Sequence, residues 1–167
     1  VGVLQKGHEI SFADLNNDGY PEIFAQMGGA YEASGFYDCL FENPASFQNN
    51  WISIDLTGTK SNKIARGARL KITRIENGKE RNIYEWVTQG SSFGANSLRQ
   101  EIGLGKATAT KQIEITWPTS GIKTVLKDVA MNQFIAVTEG TEGFTPIVLT
   151  PFVLQSTPEK SFTHKMM

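Results

Sequence analysis

Nine residues, Asp14 to Glu22, read Asp-Leu-Asn-Asn-Asp-Gly-Tyr-Pro-Glu and place oxygen-bearing side chains at loop positions one, three, five and nine, with glycine at six. The alternation lets Asp14, Asn16 and Asp18 converge on one centre. Gly19 permits the positive φ of a sharp turn, and Glu22 closes the shell from the far side. The peptide oxygen of Tyr20 is the candidate main-chain ligand. Three carboxylates gathered this closely repel one another, so a hard, oxygen-seeking cation such as Ca2+ is the simplest way to keep the loop compact. The competing reading is a turn built from Asx residues, which form tight bends without any metal.

The flanks decide what kind of loop this is. A helix-loop-helix calcium site needs a bidentate glutamate at position twelve and a helix on either side, but position twelve is Ala25. Residues 9–13 and 23–27 alternate apolar and polar or are short and apolar, which predicts strands. A dockerin would also carry a second copy of the loop and an acid at position twelve, and neither is present. With Gly28-Gly29 following, the segment resembles the FG-GAP (VCBS-type) repeat of integrin-like β-propellers. No second loop and no propeller-length period occur. Residues 1–40 are therefore expected to be the last repeat of a longer array whose earlier repeats, upstream in the same parent chain, are partners of this one. Val1 in place of an initiating methionine fits a fragment or a processed product.

Composition narrows the function classes. The 167 residues carry 16 Lys and Arg against 17 Asp and Glu, without basic runs, which argues against a nucleic-acid partner. No apolar stretch reaches membrane-spanning length. Cys39 stands alone, so no internal disulfide forms, and with His8 and His164 the only imidazoles the composition argues against a Cys/His zinc site.

From Trp51 onward the period is two. Ile52, Ile54 and Leu56 share one face and Ser53, Asp55 and Thr57 the other. Ala68, Leu70 and Ile72 alternate with Arg69, Lys71 and Thr73. That run ends at Asn77-Gly78, the strongest short hairpin signal, and the return strand is predicted over Arg81 to Thr88. Further strands are predicted at Ile113 to Trp117, Lys123 to Leu126 and Phe134 to Glu139, with Pro118, Ser120-Gly121 and Asn132 as punctuation. The fold class is all-β: an antiparallel β-sandwich or barrel preceded by a partial β-propeller repeat. The Thr- and Pro-rich tail, 141–167, reads as a linker or an added edge strand.

Ordered matches run through the middle of the chain: Phe41-Glu-Asn-Pro44, Asn50-Trp51-Ile52, Leu56-Thr-Gly-Thr-Lys-Ser-Asn62, Gly67-Ala68-Arg69, Gly90-Ser-Ser-Phe93, Gly103-Leu-Gly105, Trp117-Pro118, Asn132-Gln133 and Glu139-Gly140. Together they make residues 41–140 resemble the ASPIC/UnbV domain, which follows FG-GAP repeats in secreted bacterial proteins and in the cartilage acidic protein of animals. Two departures stand out. Lys63 and Arg66 occupy positions where the family usually has an arginine and an apolar residue, and an extra residue sits between Pro118 and Gly121. Lysine is a point charge, so a role needing a bidentate arginine fork at that loop is not transferred.

Candidate sites follow from residue chemistry. Asn132 and Gln133 suit hydrogen bonding of loop backbone. Trp51, Trp117, Tyr84 and Trp86 carry flat faces able to stack on sugar rings. Core packing is the expectation for these aromatics, with Tyr84 and Trp86 exposed instead if Ile83 and Val87 point inward. An enzymatic alternative exists, because Gly90-Ser-Ser-Phe-Gly94 spells G-x-S-x-G with Ser92 as nucleophile, and Asp128 and His164 follow in the order of a hydrolase triad. The predicted elements lack the alternating strands and helices of that fold. A glycosidase carboxylate pair drawn from Asp14, Asp18 and Glu22 would lose those oxygens to calcium. The expectation is an extracellular or cell-surface, secreted calcium-binding module that attaches to a glycan or protein. Its metal would be structural, at Asp14, Asn16, Asp18, Tyr20 and Glu22, and its ligand contacts would be at Tyr84 and Trp86. A serine hydrolase, or an accessory domain of a larger carbohydrate-active enzyme, is the alternative.

Overall fold

A computed structural model describes residues 7–28, 37–88, 90 and 94–154. Among the described residues there are eleven strands and no helix: β1 (Gly7–Ala13), β2 (Glu22–Met27), β3 (Cys39–Phe41), β4 (Asn50–Thr57), β5 (Arg69–Glu76), β6 (Lys79–Trp86), β7 (Gln100–Gly105), β8 (Ala109–Thr116), β9 (Lys123–Lys127), β10 (Phe134–Thr138) and β11 (Thr145–Ile147). They form a three-stranded sheet, β1-β2-β3, and two four-stranded sheets, β11-β10-β4-β7 and β6-β5-β8-β9. The two larger sheets are separate and share one core, so the sandwich alternative holds and the closed barrel does not.

The period-two pattern explains that core. Ile52 and Ile54 of β4, Ile102 and Leu104 of β7, and Ile135 and Val137 of β10 meet Leu70 and Ile72 of β5 and Ile113 and Ile115 of β8, all buried in a single cluster. Leu126, Trp117 and Val87 complete it. Trp117 is 1% exposed and its indole Nε1 donates to Thr124 Oγ1 at 2.9 Å, which satisfies the one polar atom that its burial would otherwise strand. It is core, as expected.

Local turn chemistry sets the registers. Asn77 and Gly78 have φ of 51° and 69°, the two positive values of a type I′ turn, and they close β5 on β6 with Glu76 opposite Lys79. The return strand therefore begins at Lys79, two residues earlier than predicted, because a two-residue turn leaves no slack. One pairing departs from the antiparallel expectation. β10 runs parallel to β4, with Phe134 opposite Ser53 and Thr138 opposite Thr57. Asn132 helps fix that alignment: its N–H donates to Trp51 O at 2.7 Å, and its Oδ1 accepts the Trp51 N–H at 3.0 Å. Gln133 Nε2 donates to Ala130 O at 2.8 Å. Both residues do the backbone work expected of them. The tail is an edge strand at 145–147, antiparallel to β10, with Pro146 tolerated because an edge strand has an unpaired side.

At the end of β10 the chain buries Glu139, 2% exposed. Its Oε2 accepts the consecutive N–H groups of Thr59, Lys60 and Ser61 at 2.8, 2.8 and 2.7 Å, and its Oε1 accepts the Ser61 hydroxyl at 2.8 Å and the Ser120 hydroxyl. Three successive amides aimed at one oxygen make an anion nest. Desolvation pushes this carboxyl up, but the bonds from Ser120, Ser61 and Thr59 together outweigh it and hold the pKa at about 2. The loop that follows β4, residues 58–62, is thereby fastened to the far end of the sheet.

The nest makes stability depend on pH in a defined window. A carboxyl whose folded pKa lies below its unfolded value stabilises the fold above about 4.5, and that contribution is lost as pH falls toward about 2. Glu139→Gln should lower the urea midpoint at neutral pH, and its gap from wild type should shrink through this window. A gap that stays constant from pH 5 to pH 2.5 would contradict the nest's charge dependence.

Candidate metal loop and exposed aromatic face

The loop from Asp14 to Glu22 joins β1 to β2 as a hairpin whose end is buried, although it is rich in acid. Asp14 and Asn16 are each 4% exposed and Glu22 is 1% exposed. The loop satisfies its own amides first. Asp14 Oδ1 accepts Asp18 N–H at 3.1 Å and Oδ2 accepts Gly19 N–H at 3.0 Å. Asn16 Oδ1 also accepts Asp18 N–H, at 3.1 Å, and Asp18 Oδ1 accepts Tyr20 N–H at 2.8 Å. The Tyr20 hydroxyl donates to Asn49 O at 2.9 Å, anchoring the turn to the segment ahead of β4.

Glu22 is the exception. Its Oε2 accepts Leu15 N–H at 2.8 Å, while its buried Oε1 has no hydrogen-bond partner among the described residues. Burial raises its pKa, and the negative charges of Asp18 and Asp14 raise it further, against the opposing amides of Leu15 and Asn43. An unpaired, buried carboxylate oxygen facing two further carboxylates is the environment that a cation relieves. The oxygens of Asp14, Asn16 and Asp18 that accept amides retain further lone pairs, since an ionised carboxylate offers about four acceptor sites. The donor set is all oxygen, which suits Ca2+ and not a thiolate- or imidazole-seeking metal. No group of three or more His, Cys, Asp or Glu side chains among the described residues is placed to hold a metal alone. A cation here would also need the Asn16 amide and peptide oxygens such as that of Tyr20.

The loop is fastened to the sandwich by residues far away in sequence. A Cβ on Gly19 would lie 1.8 Å from Trp51 Cε2, so the indole lies directly on the glycine, whose φ is +87°. The other neighbour of Trp51 is Phe134, with ring centroids 4.8 Å apart. That places Trp51 inside a joint and removes it as a sugar platform. From β7, Glu101 Oε2 accepts Asp14 N–H at 3.0 Å, and Arg99 Nη2 donates to Asp14 O at 3.3 Å while pairing with Glu101 Oε1 at 3.2 Å. Burial raises the Glu101 pKa, against the Asp14 amide and the Arg99 charge. Phe152 N–H donates to Asn16 O at 3.0 Å, bringing the tail onto the loop. None of these partners has a local signal, because each contact joins segments separated by at least thirty positions.

The aromatic pair is exposed, and Trp86 lines one cavity with Pro21 of the loop and with Arg99 and Glu101. Tyr84 is 68% and Trp86 54% exposed, while Val87 is buried and Ile83 packs against the core. The Trp86 Nε1 donates to Gly67 O at 3.2 Å, and the Arg69 guanidinium lies 4.2 Å from the ring centroid. Of the triad alternative, Asp128 is an exposed turn residue, whereas Ser92 and His164 lie outside the described residues. β6 leads into no helix among the described residues, whereas a nucleophile elbow needs a strand-to-helix turn. No helix among the described residues is long and apolar enough to cross a membrane.

A sequence profile of the family described as ASPIC and UnbV matches residues 58–143, more than half of the chain. No curated protein matches the chain.

The joint between loop and sandwich has a direct mutational test. Gly19→Ala must place a side chain at positive φ and displace the Trp51 ring, so it should cost about 2–4 kcal/mol of stability in urea unfolding, from left-handed backbone strain plus overpacking. Gly78→Ala, where nothing lies within 4 Å of the added carbon, carries only the backbone cost and should lose about 1–2 kcal/mol. Equal losses at the two positions would mean that Trp51 does not bear on the loop.

Proposed function

The chain belongs to the ASPIC and UnbV family, and on that premise we propose that it is a secreted, extracellular or cell-surface binding module for a glycan or protein, with a structural calcium ion. Asp14, Asn16, Asp18, the peptide oxygen of Tyr20 and Glu22 would hold the ion. The observation that carries this reading is the buried, unpaired Glu22 Oε1 beside buried Asp14 and Asn16. Calcium supplies positive charge and oxygen coordination there, and no chemistry beyond that is asked of it. The protein's own residues do the rest. Trp51, Arg99 and Glu101 hold the loop against the sandwich, so an ordered loop fixes how the β1-β2-β3 sheet sits on the larger domain.

Residues 1–40, with β3 running one residue past that bound to Phe41, are proposed to be the closing FG-GAP repeat of an array in the parent chain. Support comes from the antiparallel three-stranded sheet with the acidic loop at its hairpin, and from its apolar face. Phe12, Ile23 and Phe41 sit opposite one another across β1, β2 and β3 and are 46%, 37% and 55% exposed, as expected of a blade that leans on a neighbour. Tyr84 and Trp86 are the proposed ligand contacts, supported by their exposure on one strand face.

Affinity in the range of extracellular modules, about 0.1–1 mM, would stabilise the fold by about 1.4–2.7 kcal/mol at 10 mM calcium. In differential scanning calorimetry the melting temperature should rise by roughly 3–10 °C, and Asp18→Ala should abolish the rise. Identical wild-type melting in calcium and in chelator would remove the metal from the proposal. Independently, Trp86→Ala should weaken attachment to an immobilised glycan array without changing the melting temperature by more than about 2 °C. Undiminished attachment would remove the aromatic face from it.

A further inference from the structure

The outer face of the β6-β5-β8-β9 sheet carries a charge pattern that the alternation of its strands imposes. Across the sheet, Trp86, Arg69, Thr116 and Lys123 form one row; Tyr84, Lys71, Glu114 and Val125 the next; and Asn82, Thr73, Gln112 and Lys127 a third. Inward-facing neighbours are Leu70, Ile72, Ile113 and Ile115, so this whole set faces solvent. Glu114 is paired with Lys123 at 3.2 Å, and Glu80 at the end of β6 is paired with Lys111. Arg69, Lys71 and Lys127 have no carboxylate at ion-pair distance among the described residues. On a chain of formal net charge −1, these rows carry Arg69, Lys71, Lys123 and Lys127 against Glu114, which lies across from Lys71, and so a net positive charge.

Arg69 is the most informative of the three without such a carboxylate. Its guanidinium lies over Trp86, 4.2 Å from the ring centroid, so one broad surface is committed to the indole while no hydrogen bond to any described residue occupies its N–H groups. The indole holds the guanidinium close while its N–H groups stay free, and a guanidinium with free N–H groups can receive a carboxylate or sulfate through two parallel donors. Beside it, Tyr84 and Trp86 present aromatic surface at the edge strand. Lys71 lies about 7 Å along β5, and Lys127, two strands across and four residues along, lies about 16 Å away.

We propose that this face binds an anionic polysaccharide, with the apolar face of one ring against Tyr84 and Trp86 and its carboxylate or sulfate groups on Arg69, Lys71 and Lys127. The assignment rests on the reading of Tyr84 and Trp86 as glycan contacts, and adds to it the charge class of the glycan and three residues. A polysaccharide fits better than a nucleic acid because three cations on a near-neutral chain provide too little field for a phosphate backbone, and the aromatic groups are confined to one edge instead of forming a ladder for successive bases. It fits better than an acidic peptide because a pyranose has a flat apolar face for the aromatic pair to meet.

The test is isothermal titration calorimetry of the full chain in 50 mM NaCl with a heparin decasaccharide, an oligogalacturonate, uncharged cellohexaose and a thymidine oligonucleotide. Both anionic saccharides should bind, and raising salt to 0.5 M should weaken them by at least about tenfold as screening shortens the range of the field. Arg69→Ala should weaken them by about tenfold. Arg69→Lys should recover only part of that, since a lysine keeps the charge but not the fork. Lys63→Ala, beside Asp55 and Leu56 of the other sheet, should change nothing. Cellohexaose binding as tightly as the charged saccharides would overturn the charge assignment and leave glycan binding standing, whereas no saccharide binding at all would remove both. An oligonucleotide binding more tightly than either saccharide would overturn the ligand class. Equal loss from Lys63→Ala and Arg69→Ala would reduce the interaction to diffuse attraction and overturn the site.

Discussion

A carboxylate taken out of water must recover its lost hydration from donors or from a cation, and this chain buries two glutamates that meet the requirement differently. Glu139 receives three amides and two hydroxyls, enough to leave it ionised down to a pKa of about 2. Glu22 accepts the Leu15 amide on one oxygen, has no hydrogen-bond partner on the other among the described residues, and is opposed by two nearby carboxylates against the Leu15 and Asn43 amides, and its pKa moves up. Protein groups complete the first site. In the second, either protonation of the raised carboxyl or an added cation would relieve the charge. Both sit where one structural unit is tied to another: Glu139 between β10 and the loop of residues 58–62, and Glu22 where the small sheet meets the sandwich.

The seam at the small sheet shows why the loop's order matters beyond its own nine residues. Arg99 and Glu101 grip the N–H and C=O of Asp14, and the Trp51 indole lies on Gly19. Each hydrogen bond contributes only about 0.5–1.5 kcal/mol net, so the grip holds only while the loop keeps one conformation. Trp51 also rests on Phe134, the first residue of β10, whose parallel pairing with β4 sets the middle of the sheet. Loop geometry therefore reaches the core through one aromatic contact. A glycine is required at that point for two separate reasons, its φ and the ring above it.

What the sequence revealed and what it hid divide along a physical line. The Asn-Gly hairpin, the alternation of β4 and β5, the β9 strand and the exposed aromatic pair were legible because each is written within about ten consecutive residues. β7 was missed. Its Gln-Glu-Ile-Gly-Leu-Gly breaks the alternating pattern with two glycines, although Ile102 and Leu104 reach the core. The parallel β4–β10 pair was hidden because no local period encodes which distant strand becomes a neighbour. The acidic loop was visible as a motif, whereas its partners Trp51, Arg99, Glu101 and Phe152 were not, since they arrive from other strands. Glu139 looked like the end of a strand, and only the curl of residues 59–61 around it revealed an anion nest.

The same locality accounts for the charged face. On β5, Leu70 and Ile72 must point inward to join the core, so Arg69 and Lys71 must point out, and the pairing registers carry that polarity across four strands. Solubility alone would be served by mixed charges and would not call for a tryptophan 54% exposed at the edge. Edge protection alone would be served by the charges of β6, Lys79, Glu80, Arg81 and Glu85. Neither requirement explains a guanidinium stacked on that tryptophan with its donors free. The proposed acidic saccharide would answer both features at once, its ring face covering the indole and its charged group replacing water on the free guanidinium donors.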